Sequence, residues 1–253
     1  MKMYQREFPV EKMCCVLGVS SSAYFAWKNG TSTKRIVREQ LLKEKVEQIY
    51  NGSHYTYGSP RVFSVLKEAN EKVSRSLVAR VMKKYGFRSL HAKKFKVTTD
   101  SKHSHPVADN VLDRDFSATR AGEKWVSDLT YIHTKEGWLY LTMILDLYDR
   151  KVVGWSMSDN MTTSDTSVKS WKMAINNRPI FDDLLFHSDR GVQYASEEFT
   201  KTIKHPKITQ SMSRKGNCWD NAVAESFFKS LKTECVYQNK FNTRNEAKIA
   251  VFQ

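Results

Sequence analysis

The fold is decided by the segment KWVSDLTYIHT (residues 124–134) and by the two segments after it, WLYLTMILDL (138–147) and KVVGWSM (151–157). All three are rich in β-branched and aromatic residues, which favour strands. Only short turns separate them, and strands joined by such turns pair antiparallel. The sequence therefore predicts a sheet that begins with three consecutive antiparallel strands.

Helices and strands alternate in the rest of the second half. Three strands followed by this alternation is the order of an RNase H-like α/β domain. Asp146 ends the second predicted strand, and we expect it to be structural and to pair with Arg150. The further predicted elements are a helix at 164–176, a strand LLFHSD at 184–189, a helix at 196–204, a strand at 207–210 and a long helix at 218–234.

Three acidic residues stand out in this half. Asp128 lies inside an apolar strand, where a carboxylate is costly unless a cation compensates it. Asp189 lies at the carboxyl end of a strand, where α/β sheets place their sites. Glu225 lies on the long helix, on a polar stripe separate from an apolar one that can dock on the sheet. The polar stripe contains Asn221, Glu225, Lys229 and Lys232, and the apolar stripe contains Ala224, Phe228, Leu231 and Cys235.

Each acidic residue also has a purely structural explanation. Asp128 can pair with a Lys or Arg, Asp189 with Arg190, and Glu225 with Lys229 four positions later on the helix. Single residues do not decide between the two explanations, so the interpretation depends on the three residues as a set.

The first part of the chain is strongly basic. Of the net charge of +14 over 253 residues, 21 Lys and Arg against 9 Asp and Glu fall in residues 1–110. Such an excess favours polyanionic partners, above all nucleic acid. No apolar run of membrane-spanning length and no signal peptide occurs in the sequence, so we expect a cytoplasmic protein without a membrane partner.

The basic part is predicted to be helical. Residues 9–30 form two short helices around Gly18 and are typical of a helix-turn-helix, although a simple helical hairpin fits equally well. We expect Ser20 or Ser21 to cap the second helix and Gly30 to end it. The inward-facing residues are expected to be Met13, Val16 and Leu17, then Ala23, Tyr24 and Trp27.

A longer helix at 34–50 and a helical pair within 57–87 follow. We expect Ser59, ahead of Pro60, and Ser74 to cap the pair. The long helix should bury Ile36, Val37, Leu41, Leu42, Val46 and Ile49, and the last helix Leu77, Val78, Val81 and Met82. The outward face of the last helix carries Arg80, Lys83 and Lys84, which could meet phosphates, and the basic stretch continues through Arg88, Lys93, Lys94 and Lys96.

The expected organisation is an all-α region followed by an α/β core. Residues 1–30 form the helix-turn-helix-like segment and residues 31–106 the basic helical DNA-binding region. Residues 107–253 form the RNase H-like core, entered through a polar linker.

Four blocks in this core resemble a known family. They are WVSDLTYI (125–132), EGWLYL (136–141), HSDRGVQY (187–194) and GNCWDNAVAESFFKSLKTE (216–234). In this order they closely resemble the OrfB-type transposases of the insertion sequence three family, whose catalytic core is similar to retroviral integrases. Sixty residues separate Asp128 from Asp189 and 35 separate Asp189 from Glu225, and the second spacing matches the DDE signature of that superfamily.

The resemblance implies an activity and a site. It implies metal-dependent DNA strand cleavage and strand transfer, with Asp128, Asp189 and Glu225 holding two Mg²⁺ ions, for which Mn²⁺ can substitute. It also implies binding of transposon ends and target DNA by a homo-oligomer, together with an upstream OrfA DNA-binding portion. The residues expected to contact phosphates from the core are Lys215, Lys229 and Lys232, and those expected to support the site are His187, Arg190 and Asn221.

Family members continue past the position of Gln253, so a chain that ends here leaves alternatives open. One is a truncated, inactive DNA-binding remnant. The other is an RNase H-like nuclease that cleaves without joining. Binding without cleavage would indicate the first, and cleavage without joined products the second.

Overall fold

The computed structural model describes residues 1–29, 34–90, 104–180 and 182–253, without the side chains of residues 34 and 35. It divides into two compact units, residues 1–90 and 91–253. Gly30, Lys93, Lys94 and Lys96 lie outside the described residues, and the domain boundary at 106/107 stays a prediction. In the parts of the chain that are described, no helix is long and apolar enough to cross a membrane.

The first unit is helical. Both short helices before residue 30 are present, and the later helices follow in the expected places. Their bounds are α1 (Val10–Val16), α2 (Ser21–Lys28), α3 (Lys34–Gly52), α4 (Ser59–Glu68) and α5 (Arg75–Lys84).

The predicted inner face of the first two helices is only partly right. Of the six predicted residues, Tyr24 is buried and Met13 half-buried, whereas Val16, Leu17, Ala23 and Trp27 are exposed; Cys14, which was not predicted, is buried. The reason is that α1 ends at Val16 and the chain turns at once through Gly18, whose φ of +61° suits glycine.

The core of α3–α5 is formed by Leu42 and Val46 of α3, with Val62, Leu66, Val78, Val81 and Met82 of the other two helices. The expectation for the last helix is confirmed, but Ile36, Val37 and Leu41 are exposed. With 3.6 residues per turn, Ile36, Val37 and Leu41 point away from the face of α3 that carries Leu42 and Val46 and packs on α4 and α5.

Two of the predicted helix caps are correct and one is wrong. Ser20 accepts a hydrogen bond from Ala23 N at 3.2 Å, and Ser74 accepts one from Leu77 N at 3.3 Å. Ser59 does not cap α4, because Gly58 takes the N-cap position and Ser59 already lies inside the helix. Pro60 is thus one position later than expected, where its missing N–H still costs nothing.

The second unit is built on a five-stranded mixed sheet in the order β3-β2-β1-β4-β5. The first three strands pair antiparallel, and β1 with β4 and β4 with β5 pair parallel. This confirms the three consecutive antiparallel strands and the alternation that follows. The strands are β1 (Lys124–Thr134), β2 (Gly137–Asp146), β3 (Val152–Ser158), β4 (Leu184–Ser188) and β5 (Ile208–Met212).

The helices of this unit cover both faces of the sheet. One face packs on α6 (Lys169–Asn177), α7 (Val192–Ala195) and α8 (Glu197–Ile203), through Trp171, Tyr194 and Phe199. The other packs on α9 (Ala222–Glu234) and α10 (Arg244–Phe252), through Ala224, Phe228 and Ala247. A π-helical turn (Ser164–Val168) precedes α6, and 3₁₀ turns (Cys218–Asn221 and Val236–Gln238) flank α9.

Asp146 is structural, as expected, but its partner is not Arg150. Its buried carboxylate accepts hydrogen bonds from Arg178 at 2.5 Å and from Trp125 Nε1 at 2.9 Å. The Gly122 and Tyr148 N–H groups donate to it as well, at 2.7 and 2.9 Å. Arg178 follows α6, so the bond crosses from β2 to a distant part of the chain, which local spacing does not reveal.

A second buried carboxylate fixes the loop before α9. Asp220, which has no exposed side-chain surface, accepts bonds from Arg214 at 2.8 Å and from Arg114 Nε at 2.9 Å. The Arg214 N–H donates to it at 3.0 Å. The bond from Arg214 holds the pKa of Asp220 well below its usual value, and Arg114 adds to this against the opposing effect of burial.

This lowered pKa gives a prediction about acid stability. The folded state binds the proton of Asp220 less readily than the unfolded state does. The ionised carboxylate therefore adds to the free energy of unfolding above the ordinary aspartate pKa of about 3.9, and this contribution is lost as pH falls below that value. We expect Asp220→Asn to lower the free energy of unfolding by about 2 kcal/mol at pH 6, below the roughly 3–5 kcal/mol of a fully buried pair because both arginines are half exposed. Urea unfolding at pH 6 to 2.5 should show the difference shrinking below pH 4.

Asp113→Asn is the matched control. Asp113 meets the same Arg214 at 3.6 Å, but its side chain is 76% exposed. We expect this change to cost less than about 0.5 kcal/mol at every pH. A difference between wild type and Asp220→Asn that stays constant from pH 6 to 2.5 would contradict the assignment.

Candidate functional site

The register of the sheet brings two acidic residues together. In the parallel pair of β1 and β4, Ser127 lies opposite Ser188. Asp128 and Asp189 each follow one of these paired residues, so they occupy neighbouring positions on adjacent strands although 60 residues separate them. Asp128 accepts a hydrogen bond from Leu129 N at 2.8 Å, and Asp189 accepts one from Gly191 N at 3.0 Å.

Helix α9 adds the third acidic residue. Its apolar stripe docks as predicted, with Ala224 and Phe228 buried and Leu231 and Cys235 packed at the edge of the same cluster. Glu225 consequently lies on the face turned away from that cluster and remains exposed along much of its side chain. Its carboxyl group is nevertheless close enough to interact with both aspartates.

The electrostatics show that the three carboxyl groups share one environment. Burial raises the pKa of Asp128 well above its usual value, and Asp189 and then Glu225 raise it further. Burial also raises the pKa of Glu225, followed by the effect of Asp189. Lys232 opposes the shift of Asp128, and its own pKa is lowered by burial. Three acids thus converge where one half-buried lysine supplies part of the opposite charge.

The donor set suits a hard divalent cation. Carboxylate oxygens are the ligands that Mg²⁺ prefers, and a cation would relieve the repulsion that raises these pKa values. Among the described residues, no group of three His, Cys, Asp or Glu side chains forms a metal cage as it stands. A closed cage is not what Mg²⁺ requires, because it keeps several waters and takes other ligands from substrate phosphates.

Ser127 joins the elements that carry the three acids. Its hydroxyl lies 2.8 Å from Met143 O of β2, to which it donates, and 2.7 Å from the hydroxyl of Tyr194 on α7. Since the only proton of Ser127 goes to Met143, Tyr194 must be the donor in the second bond. Asn221 Nδ2 donates to Ser127 O at 3.0 Å, which ties the start of α9 to the residue before Asp128. Ser127 and Tyr194 were missed because only the packing of α7 and of the start of α9 on the sheet reveals their bonds, although both lie in blocks that carry the resemblance.

Tyr194 lies close to the acids as well. Burial raises the pKa of its hydroxyl well above the usual value, and Asp189 and Asp128 raise it further. It therefore stays protonated and able to donate to Ser127. Asn221, predicted to support the site, is buried, and its Oδ1 has no hydrogen-bond partner within the described residues.

His187 lies two residues before Asp189, and Arg190 directly after it. His187 is buried and bonds to Ser211 at 2.9 Å and to Ser213 at 3.2 Å. Ser211 Oγ already accepts from two backbone N–H groups, so it donates to His187 Nδ1 and leaves the proton on Nε2. Burial lowers the pKa of His187 to about 4, which keeps the ring neutral. Arg190 is half-buried directly after Asp189.

The predicted phosphate-contacting residues have different surroundings. Lys215 and Lys229 are exposed, whereas Lys232 is half-buried and faces Asp128. In the helical unit, Arg80 and Lys83 are exposed, and Lys84 forms an ion pair with Glu39.

Family models match both units of the chain. An integrase core domain matches residues 118–218, and a second integrase core model matches residues 206–252. An HTH-like domain matches residues 37–95, which covers α3–α5 and lies after the 1–30 segment. Together they agree with the predicted order of a helical region and an integrase-type core.

Curated relatives match over nearly the whole chain. Transposase InsF for insertion sequence IS3A of Escherichia coli (strain K12) is 35% identical over 253 residues, which is 98% of this chain and 87% of the relative. The Insertion element IS600 uncharacterized 31 kDa protein of Shigella sonnei is 39% identical over 93% of this chain and 86% of its own.

A solved structure, the simian T-cell lymphotropic virus intasome in complex with PP2A regulatory subunit B56 gamma, is similar at 16% identity and a TM-score of 0.46. It covers 82% of this chain and 67% of its own. The family is shown by the sequence identity to these relatives over most of the chain and not by this weak structural likeness. The chain belongs to the transposases of the insertion sequence three family and carries their integrase core domain.

Proposed function

We propose that this transposase cuts DNA strands and joins the resulting 3′-hydroxyl ends to target DNA, with Asp128, Asp189 and Glu225 as its catalytic, metal-holding residues. The observation that carries the proposal is the convergence of these three carboxyl groups, each from a different element and each interacting with at least one of the others. A fold that needed only stability would gain nothing from placing three like charges together.

The metal requirement follows from the same convergence. The proposed cofactor is a pair of Mg²⁺ ions held by these three residues, and Mn²⁺ is proposed to substitute for Mg²⁺. When bound, the metal would make an attacking oxygen more nucleophilic and stabilise charge on the leaving oxygen. The raised pKa of Asp128 describes the metal-free site, where a proton partly takes the place of a cation.

Two balanced displacements make up the proposed reaction. In cleavage, a water oxygen attacks a phosphodiester phosphorus and the bond to the 3′-oxygen breaks, which leaves a 3′-hydroxyl and a 5′-phosphate. In joining, that 3′-hydroxyl attacks a target phosphorus, loses its proton, and displaces a target 3′-oxygen. The energy of one phosphodiester passes into the next, so no covalent bond between protein and DNA is required.

The protein's own residues bind and orient. Ser127 holds β1 against α7 and the start of α9, so the acids keep their places. Lys232, next to Asp128, would balance charge when a phosphate arrives. Lys215 and Lys229 on the core, and Arg80, Lys83 and Lys84 on α5, are proposed to contact DNA phosphates.

Assembly belongs to the same proposal. The chain is proposed to act as a homo-oligomer on transposon ends, together with an OrfA-type DNA-binding partner. Sedimentation of the chain with end DNA, with and without the upstream reading frame's product, tests both statements.

The first prediction concerns Glu225. Glu225→Gln keeps the size of the side chain and removes the charge, so Mg²⁺-dependent nicking and joining of a labelled end duplex should fall at least about 100-fold. The stabilisation of the fold by added Mg²⁺ or Mn²⁺ should also weaken, because the ligand set is reduced. Without metal the variant should be as stable as wild type or more so, because one of three repelling charges is gone.

Glu198→Gln is the matched control, since Glu198 is an exposed helical residue on α8, against the opposite face of the sheet. It should leave every measurement unchanged. Nicks without joined products from the wild type would favour the nuclease alternative. Equal activity in Glu225→Gln and wild type would rule out Glu225 as a catalytic residue.

The second prediction concerns Tyr194. Tyr194→Phe removes the hydroxyl that donates to Ser127, which should cost about 1 kcal/mol of stability. Because Ser127 positions the strand that carries Asp128, the Mg²⁺ concentration for half-maximal nicking should rise roughly tenfold.

Tyr50→Phe provides the comparison, because the Tyr50 hydroxyl donates to Arg88 O at 2.6 Å in the helical unit. It should lose similar stability and keep the wild-type Mg²⁺ requirement. If both variants show the same Mg²⁺ requirement, Tyr194 has no role beyond folding.

The third prediction concerns DNA binding by α5. Arg80→Ala combined with Lys83→Ala removes two exposed charges and should weaken binding to any duplex. The slope of log affinity against log salt should become shallower by roughly 1.8, or about 0.9 for each lost phosphate contact. Fluorescence anisotropy at several salt concentrations measures it.

Lys172→Ala combined with Lys204→Ala removes the same charge from exposed positions beside α6 and α8. A general effect of net charge would change the slope equally in both double variants. That result would remove α5 from the DNA-binding surface.

A further inference from the structure

Trp219 stands out in the loop that leads into α9. Its side chain is 68% exposed, while the next two residues, Asp220 and Asn221, are buried. Single exposed aromatic residues are common on protein surfaces, so exposure alone indicates nothing. What distinguishes Trp219 is how firmly the chain on both sides of it is held, and where.

The loop around Trp219 is held by a set of polar bonds. Before it, Arg114 Nη2 donates to Asn217 Oδ1 at 3.0 Å, and the same arginine bonds to Asp220. After it, Asp220 N donates to Asn217 O at 3.3 Å, which closes a tight turn around Trp219. The indole is therefore presented from a preorganised backbone, so a ligand would bind there without the entropic cost of ordering a loop.

The position of Trp219 relative to the acids follows from the chain. Asn221, two residues later, bonds to the carbonyl of Ser127, the neighbour of Asp128. Two Cα–Cα steps span at most about 7.6 Å. Successive nucleotides on a strand lie about 3.4 Å apart along the duplex axis. An indole at this position would be within a few nucleotides of a phosphate held by the carboxylates.

Three cationic side chains lie near Trp219 in the chain or bond to its loop, and the acidic groups that they meet are Asp220 and Asp113. Lys215 is exposed in the same loop, and the side chains of Arg114 and Arg214 are 45% and 50% exposed although each bonds to Asp220. An aromatic side chain beside cations that meet the backbone is the usual arrangement for single-stranded nucleic acid. Bases inside a duplex already have both faces stacked, so an indole can take only a base that has lost a neighbour.

We infer that Trp219 is a stacking site for an unpaired nucleobase of the DNA strand whose end lies at the three carboxylates. The inference deepens the proposed function and rests on it for the identity of that strand. Stacking would hold an opened strand end in line with the acids, while Lys215 meets the adjoining phosphate.

Binding without metal tests the stacking site directly. The probes are a fluorescein-labelled 20-nucleotide oligothymidylate and a fully paired 20-base-pair duplex, measured by anisotropy with the full chain in EDTA. Trp219→Ala should weaken binding to the single strand about tenfold, within the range seen for loss of one stacked base. Its binding to the duplex should change less than twofold, and Trp219→Phe should stay within threefold of wild type on both probes.

Two further variants separate stacking from other causes. Trp138→Ala removes a tryptophan of the same unit that is 50% exposed at the β1–β2 hairpin, and it should bind both probes like wild type. Lys215→Ala should weaken both probes in a salt-dependent way. The inference is overturned if Trp219→Ala binds the single strand like wild type, if Trp138→Ala loses as much, or if Trp219→Phe gives no rescue.

Because no cleavage is involved, this result is independent of the proposed activity. A wild type that binds the oligothymidylate through Trp219 but never nicks end DNA with Mg²⁺ would refute the proposed function and leave the stacking site standing. If the wild type nicks and joins end DNA but Trp219→Ala binds both probes like the wild type, the stacking site is refuted and the proposed function stands.

Discussion

Like charges repel, and the core of this transposase brings three acidic groups together in spite of it. Asp128 is supplied by the middle of β1, Asp189 by the end of β4 and Glu225 by α9. Each of the three raises the pKa of another or has its own pKa raised by another. The arrangement survives because hydrophobic packing on both faces of the sheet fixes the three elements independently of the acids. The repulsion is small beside that packing, so the fold can hold a site that favours a cation before any cation binds.

Two other buried carboxylates have hydrogen-bond donors and arginines as neighbours instead of like charges. Asp146 and Asp220 are as deeply buried as any acid in the core, yet each is surrounded by N–H donors and at least one arginine. Their charge is satisfied within the protein, which leaves them with structural roles. The difference between these two carboxylates and the three that converge thus lies in whether the fold supplies enough donors.

Much of this could be predicted from the sequence because the signals were local. Each predicted strand lies within two residues of its place, and the apolar stripe of α9 docks as its spacing indicates. Ile36, Val37 and Leu41 were misplaced because the predicted apolar stripe was wider than the face of α3 that packs on α4 and α5. The Asp146–Arg178 bond and the Ser127–Tyr194 bond join residues far apart in sequence, and only the packing of α6 and α7 on the sheet brings them together.

The parallel pairing of β1 with β4 has a consequence for the order in which the parts of the protein fold during synthesis. Pairs of this kind join segments some 60 residues apart, so they form late compared with the hairpins of β1, β2 and β3. On the ribosome, Asp128 emerges well before Asp189, and Glu225 last of the three. A partly synthesised chain can fold its helical unit, the proposed DNA-binding part, while its acidic set is still incomplete. On the proposed roles of the two parts, the order of the elements along the chain separates the first contact with DNA from the ability to act on it.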